Sequence, residues 1–223
     1  MDEKYWNVCK WMKLGFRLLT KTEVEGSDTL PQEGAFILAT NHISRLDSPA
    51  LMIASPRRLY GLVADKYRNF IGYNWILKAA GVIWVRRAEF DREALLRAMQ
   101  VLREGHVLAL APEGTRSYKG DGLQPGKPGV AFLAARAHVP IVPVAVTGTD
   151  KMLESFKRLK RMPVKVKFGL PFRLPKEGRL SSQDLDIYTE LIMRRIADLL
   201  PSEYRGVYAD VGVTSQSGLG VTM

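Results

Sequence analysis

A single α/β domain, with a largely parallel central sheet flanked by helices, is predicted by three features of the 223-residue chain. Short apolar runs recur at 35–40, 58–64, 81–85, 106–111 and 141–148, each bounded by polar or glycine-containing turns. Segments with helical periodicity lie between most of them. Neither an internal repeat nor a linker marks a second domain. Alternating strands and helices of this kind fold as parallel strands joined by right-handed crossovers.

The elements follow in order. AFILAT (35–40) is the first strand, followed by the polar loop NHISRLD (41–47) and a helix near 48–54. RLYGLVA (58–64) is the second strand, and Tyr67, Phe70, Ile71, Trp75 and Leu77 suggest a helix near 66–79. GVIWV (81–85) is the third. Asp91 has the chemistry of an N-cap for a helix over 92–104, with Glu93 in the first turn and Gly105 after the end. HVLALA (106–111) is the fourth strand, followed by a charged, glycine-rich loop over 112–126 and a helix over 127–137. IVPVAVTG (141–148) is the fifth, and VKVKFG (164–169) alternates like a half-exposed strand. Ser182 is read as the cap of a last helix reaching about 200, and residues 207–223 as a flexible tail.

Residues 1–21 form an N-terminal amphipathic helix. Tyr5, Val8, Trp11, Met12, Phe16, Leu18 and Leu19 share one broad face, with Lys10, Lys13, Arg17 and Lys21 opposite. Two readings stay open: a basic interfacial helix lying on a membrane, or a terminal helix docked on the protein's own core. No window approaches the length of an apolar spanning helix.

Net charge is +10, which calls for an anionic partner: nucleic acid, an anionic membrane or a phosphorylated substrate. The excess has an address. Residues 151–179 hold ten Lys or Arg against Glu154 and Glu177. The lone cysteine, Cys9, excludes an intrachain disulfide framework and reads as a packing residue.

Chemistry-bearing residues gather after the strands, where open α/β sheets place their sites. His42 follows the first strand, and Asp47 can fold back across a turn to hold one imidazole nitrogen, freeing the other to accept a proton. The plain alternative is a surface turn with Asp47 capping the next helix. PEGTRS (112–117) follows the fourth strand; Gly114 allows close backbone approach, Arg116 offers a fork for phosphate oxygens, and Glu113, which would repel a phosphate, is placed to bond Arg116 or backbone amides and fix the loop. Arg86 and Arg87 end the third strand, and Lys127 in GKPG starts a helix. The GKPG segment is not a P-loop, because Asp121 and Pro128 replace required residues. No G-x-S-x-G elbow, H-E-x-x-H pair or cysteine pair is present, so neither a serine hydrolase nor a metal site is expected. His106 and His138 read as structural.

The order NHISRLD, GVIWVRR, PEGTRS, KPG, VPVAV resembles the glycerolipid acyltransferase family, and within it the bacterial 1-acylglycerol-3-phosphate acyltransferases. The resemblance covers roughly residues 35–147. It implies that residues 22–206 form an acyltransferase domain, with His42 and Asp47 as the catalytic pair. Arg87, Glu113, Gly114, Thr115, Arg116 and Lys127 would be substrate-binding, and Pro143 matches the last block. Ala111 stands where the family usually has phenylalanine, and Lys66 lies in a segment that departs from the family pattern.

The implied reaction moves a fatty acyl group from a coenzyme A or acyl carrier protein thioester to the free hydroxyl of a lysophospholipid, giving phosphatidic acid when the acceptor is 1-acylglycerol 3-phosphate. The donor is already activated, so no cofactor is expected. Another lysolipid or glycerol 3-phosphate is the alternative acceptor. The implied location is the cytoplasmic face of the cell membrane, as a peripheral protein on an anionic surface, with no nucleic-acid partner. A basic nucleic-acid-binding protein is the competing class; the segment 151–179 lacks stacking aromatics and a reading helix.

Overall fold

The computed structural model describes residues 2–68, 77–78, 80–86, 91–117, 121–176 and 178–209. Seven strands form one sheet, in the order β1-β7-β6-β2-β5-β3-β4. They are β1 (Thr20–Glu25), β2 (Phe36–Thr40), β3 (Leu59–Ala64), β4 (Ile83–Val85), β5 (Val107–Leu110), β6 (Ile141–Thr147) and β7 (Met162–Phe168). Helices among the described residues include α1 (Asp2–Leu19), α2 (Asp47–Ala54), α3 (Arg92–Arg103), α4 (Gly129–Ala137), α5 (Met152–Lys157) and α6 (Ser182–Ala197). Strands β6, β2, β5, β3 and β4 run parallel; β7 pairs antiparallel with β6, and β1 pairs parallel with β7.

Side-chain alternation along the central strands sorts the core into two layers. Ile37, Ala39, Leu108, Ile141 and Ala145 face α3, α4 and α6, where Ala98, Leu133 and Ile192 meet them. Phe36, Leu38, Val107, Val142 and Val144 face the other way, onto Ala50 and Leu51 of α2. Every residue of β2 is buried, which is why that strand reads as an uninterrupted apolar run. The carboxyl ends of β2, β5 and β6 lie side by side, and the loops that carry the chemistry leave from there.

Several expectations are corrected. Strand β1, TKTEVE, is polar and lies on the sheet edge, so it carries no apolar signal; it begins at Thr20, inside the span assigned to the N-terminal helix. Ser181, not Ser182, caps α6, in a reciprocal capping box with Asp184. The helix ends at Ala197. Asp184 also meets Lys176, and that contact holds its carboxyl near pH 2. The first residues of the expected tail are held: Val207 N–H donates to Leu123 O, and Tyr208 is buried against the core. Residues 210–223 lie outside the described residues, as do most of those expected to form a helix over 66–79. Asp65–Tyr67 form a 3-10 turn at the start of that span, and Leu77 and Lys78 near its end are helical. Asp91 caps α3 as expected, accepting from Ala94 N.

Helix α1 docks on the core through part of its apolar face. Tyr5, Val8 and Cys9 are buried; the Tyr5 hydroxyl accepts the Leu59 N–H, and Cys9 packs with Met52. Trp11, Leu14, Leu18 and Leu19 face outward, with Trp11 69% exposed. The apolar face is broader than a docking seam requires, and only part of it meets the core.

Candidate active site

Strand β2 delivers Asn41 and His42 to the carboxyl end of the sheet. The Asn41 amide bridges to β6, donating to Val146 O and accepting from Val146 N, both at 2.8 Å. This fastens the loop's root to the neighbouring strand. Asp47 opens α2 and is 1% exposed. Its carboxylate does not cap α2 but reaches back. Oδ2 accepts from Ile43 N at 2.8 Å and Ser44 N at 2.7 Å and lies 2.8 Å from His42 Nδ1; Oδ1 accepts the Thr149 hydroxyl at 2.5 Å. Its other partners all donate, so Nδ1 carries the proton and Nε2 is left as the acceptor. The start of α2 adds a favourable dipole for the buried carboxylate.

Thr149 was not legible as a site residue. It follows β6, and Gly148 turns the chain there at φ 81, where a Cβ would collide with Pro163 O. A threonine at another strand's carboxyl end was the only signal.

The PEGTRS loop is tied to the histidine through Glu113. The Glu113 carboxylate is 1% exposed and accepts from His42 N (3.0 Å), Ser117 Oγ (2.5 Å) and Gln124 N (3.0 Å). Burial pushes its carboxyl above the ordinary range, and these bonds pull it back. Ser117 N donates to His42 O at 2.8 Å, closing the link between the two loops. Glu113 therefore fixes the loop from behind the site, with its oxygens accepting from the protein's own donors.

A cleft of about 1220 Å³ opens over this assembly. Its lining includes the polar His42, Ser44, Thr115 and Arg116, with Gly114, and the apolar Leu51, Met52, Leu62, Val63, Leu77 and Val82. Gly114, at φ 69, packs against the Lys127 side chain so closely that a Cβ would sit 3.0 Å from Lys127 Cδ. Lys127 is thereby placed against Gly114 and lines a smaller neighbouring cavity of about 250 Å³ with Asp91. Arg116 donates to the Tyr67 hydroxyl at 3.1 Å, and Arg45 lies 5.7 Å from the Tyr67 ring centre. Neither Tyr67 nor Arg45 was expected at the site. Arg86 is exposed and turned toward Asp91, and Arg87 lies outside the described residues. Lys66 stands over the Tyr67 ring, Ala111 lines the cleft, and Pro143 is paired with Ala39 inside β6. Among the described residues no group of His, Cys, Asp and Glu could hold a metal ion.

A held imidazole beside an arginine-bearing loop, at the mouth of an apolar cleft, can deprotonate a hydroxyl whose anionic headgroup sits on the arginine. A sequence model of the Acyltransferase family matches residues 21–147. The chain belongs to this family. A chloroplastic 1-acyl-sn-glycerol-3-phosphate acyltransferase of Brassica napus is 30% identical over 147 residues, covering 64% of this chain and 42% of the relative. The enzyme of that name from Borreliella burgdorferi is 31% identical, covering 58% of this chain and 52% of its own. The chain spans about half the length of these relatives. The crystal structure of the 1-acyl-sn-glycerophosphate (LPA) acyltransferase PlsC from Thermotoga maritima superimposes with a TM-score of 0.68 at 27% identity, covering 87% of this chain and 79% of that one. The family match takes in His42, Asp47, Glu113 and Arg116, the residues the geometry brings together.

Proposed function

We propose that this protein transfers a fatty acyl group from a coenzyme A or acyl carrier protein thioester to the free hydroxyl of 1-acylglycerol 3-phosphate, giving phosphatidic acid. The observation that carries the reading is the His42–Asp47 pair, 2.8 Å apart, in a cleft lined by Arg116 and by many apolar side chains. Names of the related proteins support the choice of acceptor. His42 Nε2 takes the hydroxyl proton as the hydroxyl oxygen bonds to the thioester carbonyl carbon. The C–S bond then breaks, and the thiolate leaves with that proton. Asp47 orients the imidazole and stabilises its protonated form, and the substrate hydroxyl stands where a hydrolase would use serine. The chain's own side chains supply this proton transfer, so the reading requires no cofactor. Product mass spectrometry with a panel of lysolipids and both donors tests it: phosphatidic acid is the expected product, and acylation of only a different lysolipid would reassign the acceptor.

Arg116 holds the acceptor's phosphate in this reading. Arg116→Ala should raise the KM for lysophosphatidic acid by about 10- to 100-fold, the loss of a charge-assisted bond, and shift the thioester's KM far less. A larger shift for the thioester would place this loop on the donor.

The protein works on a membrane surface, and α1 supplies contact. No described helix is long and apolar enough to cross a membrane. Trp11, Leu14 and Leu18 form an outward stripe beside Lys10, Lys13 and Arg17, the composition of an interfacial helix. Trp11→Ser/Leu14→Ser/Leu18→Ser leaves the Tyr5 anchor intact. It should weaken sedimentation with anionic vesicles about tenfold or more, and slow acylation of bilayer-embedded acceptor while sparing a short-chain, water-soluble one. Retention of DNA rather than vesicles at matched salt would favour the nucleic-acid class instead.

A further inference from the structure

Helix α5 and the turn after it carry a surface that the fold does not use. No residue of α5 is buried. Leu153 is 71%, Phe156 78% and Leu159 93% exposed, and Leu159 stands at φ 51, a left-handed conformation that a leucine rarely adopts. Exposed apolar side chains in a strained turn add nothing to stability in water, and their concentration over seven residues marks an interaction surface. Lys151, Lys157, Arg158, Lys160 and Arg161 surround them, against Glu154 alone.

Two observations place this surface. The segment leaves the carboxyl end of β6, just beyond Thr149, and Lys151 and Met152 line the cleft that holds His42. At its other end the Arg161 guanidinium donates to Arg17 O and Thr20 O, clasping the end of α1. The outward Leu18 and Leu19 of α1 thus adjoin the 151–161 segment.

We propose that residues 151–161 form a second membrane-contact element, which lies on an anionic bilayer together with the exposed stripe of α1 and presents the mouth of the cleft to the lipid headgroups. The inference rests on the membrane-surface reading above and extends it. Charge selects an anionic surface, and the protruding Leu153, Phe156 and Leu159 select a lipid interface, in which such side chains bury apolar area while the cations meet headgroups. An acidic protein partner would use the cations and leave that apolar protrusion unexplained. With contacts at both α1 and α5, the bilayer fixes the orientation of the cleft as well as its distance, so that an acceptor can pass from the membrane to His42 without crossing water.

The test uses the full chain and vesicles of phosphatidylcholine with and without phosphatidylglycerol. Leu153→Ser/Phe156→Ser/Leu159→Ser should lower partition onto the anionic vesicles at least about tenfold. The rate on a short-chain, water-soluble acceptor should be unchanged. As an independent measurement, Phe156→Cys labelled with an environment-sensitive fluorophore should brighten and shift to the blue on adding anionic vesicles; Cys9 is buried and does not compete for label. Wild-type partition by the triple variant, with no spectral change at position 156, would overturn the inference. If the Trp11, Leu14 and Leu18 variant still lost binding, the membrane reading itself would stand. A wild-type chain that failed to bind vesicles would remove both. A triple variant that bound vesicles normally but showed a raised KM for acyl carrier protein thioester, and not for the coenzyme A thioester, would assign the surface to the donor's carrier and also overturn the inference.

Discussion

His42→Ala should fold normally and lose roughly 10²- to 10⁴-fold in kcat, the usual contribution of a positioned general base. The side chain is part-exposed at the cleft and its one described side-chain bond is to Asp47. Removing it leaves the Ile43 and Ser44 amides and the Thr149 hydroxyl on that carboxylate, so the local fold keeps its ties. The backbone of residue 42, bonded to Glu113 and Ser117, is also retained. Thiol release with saturating acceptor measures the loss. A folded variant with full turnover would remove the imidazole from the mechanism. Asp47→Asn should also impair turnover strongly, for a different reason: the amide oxygen can keep the Ile43, Ser44 and Nδ1 bonds while its NH₂ meets the Thr149 hydroxyl, but the negative charge that stabilises the protonated imidazole is gone.

The central sheet was legible because a strand buried on both faces must be apolar at every position. FILAT of β2 and IVPVAV of β6 could hardly read otherwise. The same logic hid β1. An edge strand that leaves most of its side chains in water has no reason to be apolar, and Glu23 and Glu25 look like loop residues until β7 lies beside them. The strand direction of β7 was equally silent, since alternation in VKVKF gives a face and not a polarity. In α1 the periodicity gave one broad apolar face, but only the packed structure divides it into Tyr5, Val8 and Cys9 on the core and Trp11 and Leu18 outside.

The site divided along a similar line. His42, Asp47 and Arg116 were legible because chemistry demands those residue types and the loops follow strands. Thr149 and Tyr67 were not, because a hydroxyl that supports a carboxylate or a guanidinium has no sequence pattern and is brought in from another strand. Glu113 was legible as a carboxylate that could fix its loop by bonding backbone amides, and its burial on the His42 and Gln124 amides shows the loop folded around it.

Glu113 therefore carries the largest expected effect on stability. Glu113→Ala would strand the His42 and Gln124 amides and the Ser117 hydroxyl, all of which now donate to one carboxylate. Buried donors without acceptors cost about 1–3 kcal/mol each, so a loss of about 3 kcal/mol or more is expected. In a chain of this size that corresponds to a drop in Tm of about 6 to 12 °C, measurable by calorimetry. Glu113→Gln should recover only part of it. One amide oxygen can still accept from His42 N, but the amide NH₂ then faces the Gln124 N–H, donor against donor. Activity should fall in both variants through kcat more than through either KM, because the His42 backbone loses its anchor while Gly114, Thr115 and Arg116 remain on the cleft. A Glu113→Ala protein with unchanged Tm and a raised acceptor KM would mean that the carboxylate meets substrate after all.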